Sequence, residues 1–252
     1  MNLVFATGVA LPQMLAGQEY FRGMKAKYPD AIFPKVAAFG TIATRAQQLA
    51  DGIRQRFPTG PVHVVGHSMA GLDTRYLITR NLNGLAERIV SLSTISTPHA
   101  GTPLADFLVA PKPNVFDLGT HLLYETITEA MRVLGWDAGA FADLTTVSAK
   151  KFNAENPDRQ STHYFAYAGM GVDSFVLKPS HALLSAIART PEEVQNDGTV
   201  TIASAMRTGL VEAPWRADHL AQVGHDLDRP GFVAEFDDFA AIDRIVLRLP
   251  PS

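Results

Sequence analysis

Short, nearly unbroken apolar runs alternate along the chain with stretches in which apolar residues recur every three or four positions. Leu3-Val4-Phe5-Ala6 is the first run, and it breaks at Thr7-Gly8. A short apolar run closed by a turn residue predicts a buried strand. Residues 18–27 predict a helix, and residues 32–38 a second strand. In residues 45–56 the side chains of Ala46, Leu49, Ala50 and Ile53, followed by Phe57, fall on one helical face. Residues 61–65 predict a strand, 70–79 a helix, 89–95 and 163–168 two more strands, and 183–188 a helix. Residues 233–249 predict a terminal amphipathic helix, alone or running into a strand. Strands this continuously apolar, separated by helices, imply an α/β fold with a parallel sheet covered on both faces.

The rhythm changes between about residues 103 and 149. Pro103, Pro111 and Pro113 are followed by an apolar helical segment, 121–134, that ends at Gly135. Leu122, Leu123, Ile127, Ala130, Met131 and Leu134 cover a wide face of it. One reading is a packed connecting helix of the core. The other is a cap over a site, offering apolar surface to a lipid-like ligand. There are no repeats, low-complexity tracts or long polar linkers.

The 252 residues suit one domain, or one domain carrying an insertion. A formal charge of −3 gives no electrostatic reason to expect nucleic acid. The absence of cysteine excludes disulfides, thiolate metal sites and a cysteine nucleophile. No apolar run approaches the roughly 20 residues needed to span a bilayer. The N-terminus lacks a leading basic region and is interrupted by Gly, Pro and Gln, so it reads as strand and loop rather than signal peptide. The expectation is a cytoplasmic protein or a mature secreted form.

The candidate chemistry begins at VHVVGHSMAG, residues 62–71. A strand feeding a sharp turn and then a helix, with Ser68 at the turn, matches a G-x-S-x-G nucleophile elbow, except that Ala70 stands at the last position. The alternative is an ordinary serine in a tight turn. A serine hydroxyl needs a base in contact and an acid behind that base. His67 is adjacent to Ser68, and neighbours on an elbow usually point apart, which makes it a packing or hydrogen-bonding residue rather than the base. Asp197, in the turn Asn196-Asp197-Gly198, offers a carboxylate presented on a loop, although such a turn needs no catalytic reason. His219 follows it, with Asp218 as a rival acid.

Several of these segments together resemble a family. Residues 66–71, the segment Ser96-Thr97-Pro98-His99-Ala100-Gly101-Thr102-Pro103-Leu104-Ala105-Asp106-Phe107, Asn196-Asp197-Gly198, His219-Leu220 and Tyr20-Phe21-Arg22-Gly23-Met24 are similar to the bacterial triacylglycerol lipases of the Pseudomonas and Burkholderia type. The resemblance runs from near residue 3 to about 225. It implies a single α/β-hydrolase domain over residues 1–252, with a cap at about 104–150. It also implies Ser68 as nucleophile, His219 as base, Asp197 as orienting acid, and an oxyanion hole formed by the backbone N–H groups of Val9 and Met69. The cap residues Leu122, Leu123, Ile127 and Met131 become candidate substrate contacts.

The expected activity is hydrolysis of apolar acyl esters through an acyl-enzyme, with transient contact at a lipid interface. Alternatives are an acyltransferase, a thioesterase or a polyester depolymerase with the same triad, or a silent binding protein of the same fold. Two departures stand out. Thr7 replaces the family's histidine before the oxyanion glycine. The family's calcium ligands after the catalytic histidine fall here on Ala221 and His225, so no calcium or other cofactor is expected. His99 is expected to be structural.

Overall fold

The computed structural model describes residues 1–9, 17–109, 125–126, 128–129, 141–171, 174–207, 209–226, 228 and 234–251. Four strands, β1 (Asn2–Ala6), β2 (Val62–His67), β3 (Ile89–Ile95) and β4 (His163–Tyr167), form a parallel sheet in the order β1-β2-β3-β4. Phe5 stands beside Val65, Val65 beside Ser93, and Ser93 beside Phe165. Because side chains alternate across a strand, the apolar runs feed both faces. Leu3, Phe5, Val65, Ile95 and Tyr167 pack on one side with Ala241, Ile242 and Ile245. Val4, Ala6, Val62, Val64 and Leu92 pack on the other with Ala46, Leu49, Ile53, Leu77 and Ile78. The second group places α1 (Ile42–Arg56) and α2 (Ala70–Arg80) on one face. The first places α6 (Asp238–Leu247) on the opposite one. Each such fully buried valine, leucine or isoleucine side chain contributes about 2 kcal/mol of apolar burial.

Between these lie α3 (Pro103–Val109), α4 (Thr146–Glu155) and α5 (Lys178–Ile187). A second parallel pair, β5 (Gly169–Met170) with β6 (Trp215–Arg216), follows the main sheet. Among the described residues no helix is long and apolar enough to cross a membrane.

Two expected elements shrink. Residues 32–38 give only a parallel bridge from Ile32 to Val4, since Pro34 has no N–H with which to continue a ladder. The helix expected over 18–27 is confined to Met24–Lys27, because Gly23 takes a left-handed conformation at its start, with φ 73°. Conversely, α1 begins three residues earlier than its apolar face suggests, at a Thr41 side chain that caps the Thr44 N–H. The last helix starts later than expected, at a cap formed by Asp237.

Candidate active site

Ser68 sits between β2 and α2 at the carboxyl end of the parallel sheet, with a left-handed φ of 57°. A non-glycine residue there costs on the order of 1–3 kcal/mol and persists only where its surroundings enforce it. Here its N–H donates to the Ile95 carbonyl at 2.9 Å, while its own carbonyl accepts from Thr97 Oγ1 at 2.7 Å. The tight glycine of the elbow is Gly71 rather than position 70. A Cβ on Gly71 would lie 2.2 Å from Thr97 Oγ1, whereas the Ala70 methyl packs into the core. The departure in the motif is thus absorbed one residue further on.

His219 Nε2 lies 3.0 Å from Ser68 Oγ, and His219 Nδ1 lies 2.8 Å from Asp197 Oδ2. The structure therefore brings together the three side chains that the sequence offered as nucleophile, base and acid. The histidine tautomer follows: Nδ1–H donates to the carboxylate, which leaves Nε2 to accept from the serine hydroxyl. Asp197 differs from its expected placement, being fully buried rather than presented on a loop. Its carboxylate is met from every side. Oδ1 accepts from the N–H groups of Thr199 and Val200, and Oδ2 also accepts from Gln222 Nε2 at 2.9 Å. Burial alone would raise its pKa, but the facing His219 and the hydrogen bonds from His219, Val200 and Ser96 hold it below the ordinary carboxylate range. Asp218 Oδ1 instead accepts from Leu220 and Ala221 N–H. That carboxylate shapes the turn carrying His219 and does not orient the ring.

Gly8 lies against the nucleophile. A Cβ there would meet Ser68 Cβ at 2.6 Å and the His67 carbonyl at 2.9 Å. Val9 and Met69 share one buried cluster beside this contact, with Leu72, Ala105 and Leu144. Met69 occupies the N-cap of α2, ahead of that helix's own hydrogen-bond ladder.

The segment from Pro98 to Phe107 stitches the parts together. Ser204 Oγ accepts from Ala100 N–H and donates to the Gly101 carbonyl, and Thr102 Oγ1 donates to the Thr199 carbonyl, two residues from Asp197. Asp106 takes the Thr146 N–H and hydroxyl, fixing α3 to the start of α4. His99 is buried and meets Thr94 Oγ1, in keeping with a structural part. The candidate cap contacts Leu122, Leu123, Ile127 and Met131 lie outside the described residues. Sequence reasoning missed Gln222, whose only signal was its position three residues after His219, and Thr97, which stood inside the quoted segment without an assigned part.

No family model matches the chain. It is similar to the mature form of the Bacillus licheniformis lipase BlEst2, with a TM-score of 0.65, 23% identity, and coverage of 87% of this chain and 84% of that one. It is similar in the same way to EstA from Clostridium botulinum, with a TM-score of 0.66, 16% identity, and coverage of 100% and 88%. The chain has the α/β-hydrolase fold. In sequence it is 32% identical over 201 residues to triacylglycerol lipase 2 of Saccharomyces cerevisiae. That match takes in 74% of this chain and 56% of the yeast protein, so the chain spans little more than half of that relative's length.

Within this fold the residues at the implied calcium position do not fit a hard cation. Ala221 offers no side-chain oxygen, and His225 Nε2 is engaged with the backbone carbonyls of Glu19 and Tyr20 at 3.0 and 2.9 Å. Among the described residues no group of three His, Asp or Glu side chains is placed to hold a metal.

Proposed function

We propose that the chain is a serine carboxylic-ester hydrolase of the lipase and esterase kind, acting through Ser68, His219 and Asp197. The observation that carries this reading is the continuous hydrogen-bonded line from Ser68 Oγ to His219 Nε2 and from His219 Nδ1 to Asp197 Oδ2. His219 takes the hydroxyl proton as Ser68 Oγ attacks the ester carbonyl. The buried Asp197 carboxylate holds the imidazole in the required tautomer and stabilises the imidazolium that forms. We assign the Val9 and Met69 amides to the charge developing on the carbonyl oxygen, where preorganised donors stabilise the transition state most. His219 then returns the proton to the leaving alcohol. A water, activated by the same histidine, releases the acid and restores Ser68.

The resemblance to the Pseudomonas and Burkholderia type, together with the lipases among similar proteins, favours apolar acyl esters as substrates. We assign the whole chain to one catalytic domain in which the stretch from 104 to 150 supplies the cap, and the reaction needs no metal. The test is hydrolysis of p-nitrophenyl esters over a series of acyl lengths, in soluble and emulsified form, by the full chain and by Ser68→Ala. Turnover that falls at least 10³-fold in Ser68→Ala is expected. Equal turnover by the two proteins would refute the reading.

A further inference from the structure

The peptide joining Thr7 to Gly8 is gripped from both sides. Its carbonyl, on Thr7, accepts from Arg45 Nη2 at 2.6 Å. On its other side the Tyr20 hydroxyl packs against Gly8, its oxygen standing 2.7 Å from where a Cβ on Gly8 would lie. The next peptide along carries the Val9 N–H. Fixing the plane between Thr7 and Gly8 leaves only the φ and ψ of Gly8, itself wedged against Ser68, to set where that amide points.

Both grips are anchored to the nucleophile's own neighbours. The Tyr20 hydroxyl is hydrogen-bonded to Nδ1 of His67, the residue before Ser68, at 2.7 Å. His67 is fully buried and held neutral by its surroundings, and its ring lies 4.6 Å from that of His219. Arg45 is also fully buried. Its Nε donates to Asp73 Oδ2 at 2.9 Å, and its Nη1 to the Ala37 carbonyl at 2.6 Å. Asp73 belongs to α2, the helix that starts at the nucleophile turn. Taking a guanidinium and a carboxylate out of water is costly, and the same space could hold apolar side chains. What the ion pair adds is direction: a planar fork on α1 that reaches one peptide oxygen while Asp73, on the helix that starts at Ser68, holds it in place.

We infer that Tyr20 and Arg45 are positioning residues that lock the Val9 amide to the Ser68 elbow, Tyr20 through His67 and Arg45 through Asp73. Neither touches the reacting atoms. The inference rests on the ester-hydrolase reading, because a locked oxyanion donor matters only if an oxyanion forms.

Tyr20→Phe and Arg45→Lys in the full chain test it. Tyr20→Phe keeps the ring that packs on Phe21 and His67 and removes only the hydroxyl. Arg45→Lys keeps the charge beside Asp73 and removes the fork. With p-nitrophenyl butyrate, each folded variant should lose about tenfold in kcat with KM changed by less than about twofold. Inhibition by butaneboronic acid, which places a tetrahedral oxygen in the same hole, should weaken by a similar factor. Thermal unfolding of each variant reports on folding separately, and Tyr20→Phe carries the test if Arg45→Lys does not fold. Variants with wild-type kcat and boronate inhibition, or with only KM raised, overturn the inference. A wild-type protein without Ser68-dependent turnover overturns the ester-hydrolase reading itself.

Discussion

Gly8→Ala is the smallest substitution that should disable this site without touching a polar group. The added Cβ would stand 2.6 Å from Ser68 Cβ, where ordinary contact begins near 3.4 Å, so about 0.8 Å must be found. The other two contacts, Tyr20 Oη at 2.7 Å and the His67 carbonyl at 2.9 Å, close off two directions of relief. The remaining movement separates the end of β1 from the nucleophile turn and carries the Val9 amide away from the oxyanion. A misplacement of about 1 Å at a reacting centre costs on the order of 10²-fold, and loss of one oxyanion donor costs about the same. Gly8→Ala should therefore lower kcat for p-nitrophenyl butyrate by roughly 10²-fold, with KM little changed. Steady-state kinetics on protein whose far-UV circular dichroism matches the wild type provides the assay. A folded variant with at least a third of the wild-type kcat would refute the geometric argument.

Other outcomes follow from the same geometry. Ala70→Gly restores the commoner motif but removes a buried methyl from the start of α2. It should cost about 1–2 kcal/mol of stability by thermal unfolding and leave kcat within about twofold; a large gain in activity would show that Ala70 is a functional defect. Asp197→Asn leaves His219 in the wrong tautomer and should lower kcat by roughly 10³–10⁴-fold. Because Asp197 is depressed in the folded state, its contribution to stability is present above the unfolded value near pH 4 and is lost as pH falls through the lower native value. The Tm gap between wild type and Asp197→Asn should hold from pH 7 to about 5 and narrow on further acidification, and a gap independent of pH down to 3 would refute the assignment. Hydrolysis should be insensitive to EDTA and to added calcium, since Ala221 and His225 cannot serve as ligands; loss of activity in EDTA would place a metal where the side chains do not.

The frame of the molecule was legible because β1 to β4 write their burial as unbroken apolar runs, and α1 and α2 repeat theirs at helical spacing. Position 32 misled because Ile32 and Phe33 look like a strand, while Pro34 removes the donor that a ladder needs. At the site, Ser68, Asp197 and His219 could be ordered along the chain because each stands beside turn residues. Their company could not be ordered. Gln222 and Thr97 act through hydrogen bonds to carboxylate or backbone oxygens, and no periodicity marks such contacts. Asp197 was expected on a loop surface, yet its own turn folds two N–H groups back on the carboxylate and lets it be buried. Arg45 lies on the otherwise apolar inner side of α1, where a pattern-based reading passes over a charge.

The account stands on Ser68 as an activated nucleophile. A fluorophosphonate probe forms a bond to such an oxygen only when a base and an oxyanion hole support it, so labelling followed by intact-mass and peptide analysis reads the claim directly. The expected result is one adduct, on Ser68, formed by the wild-type chain and absent from Ser68→Ala. Folded wild-type protein that remains unlabelled, or that carries the adduct on another residue, would contradict it.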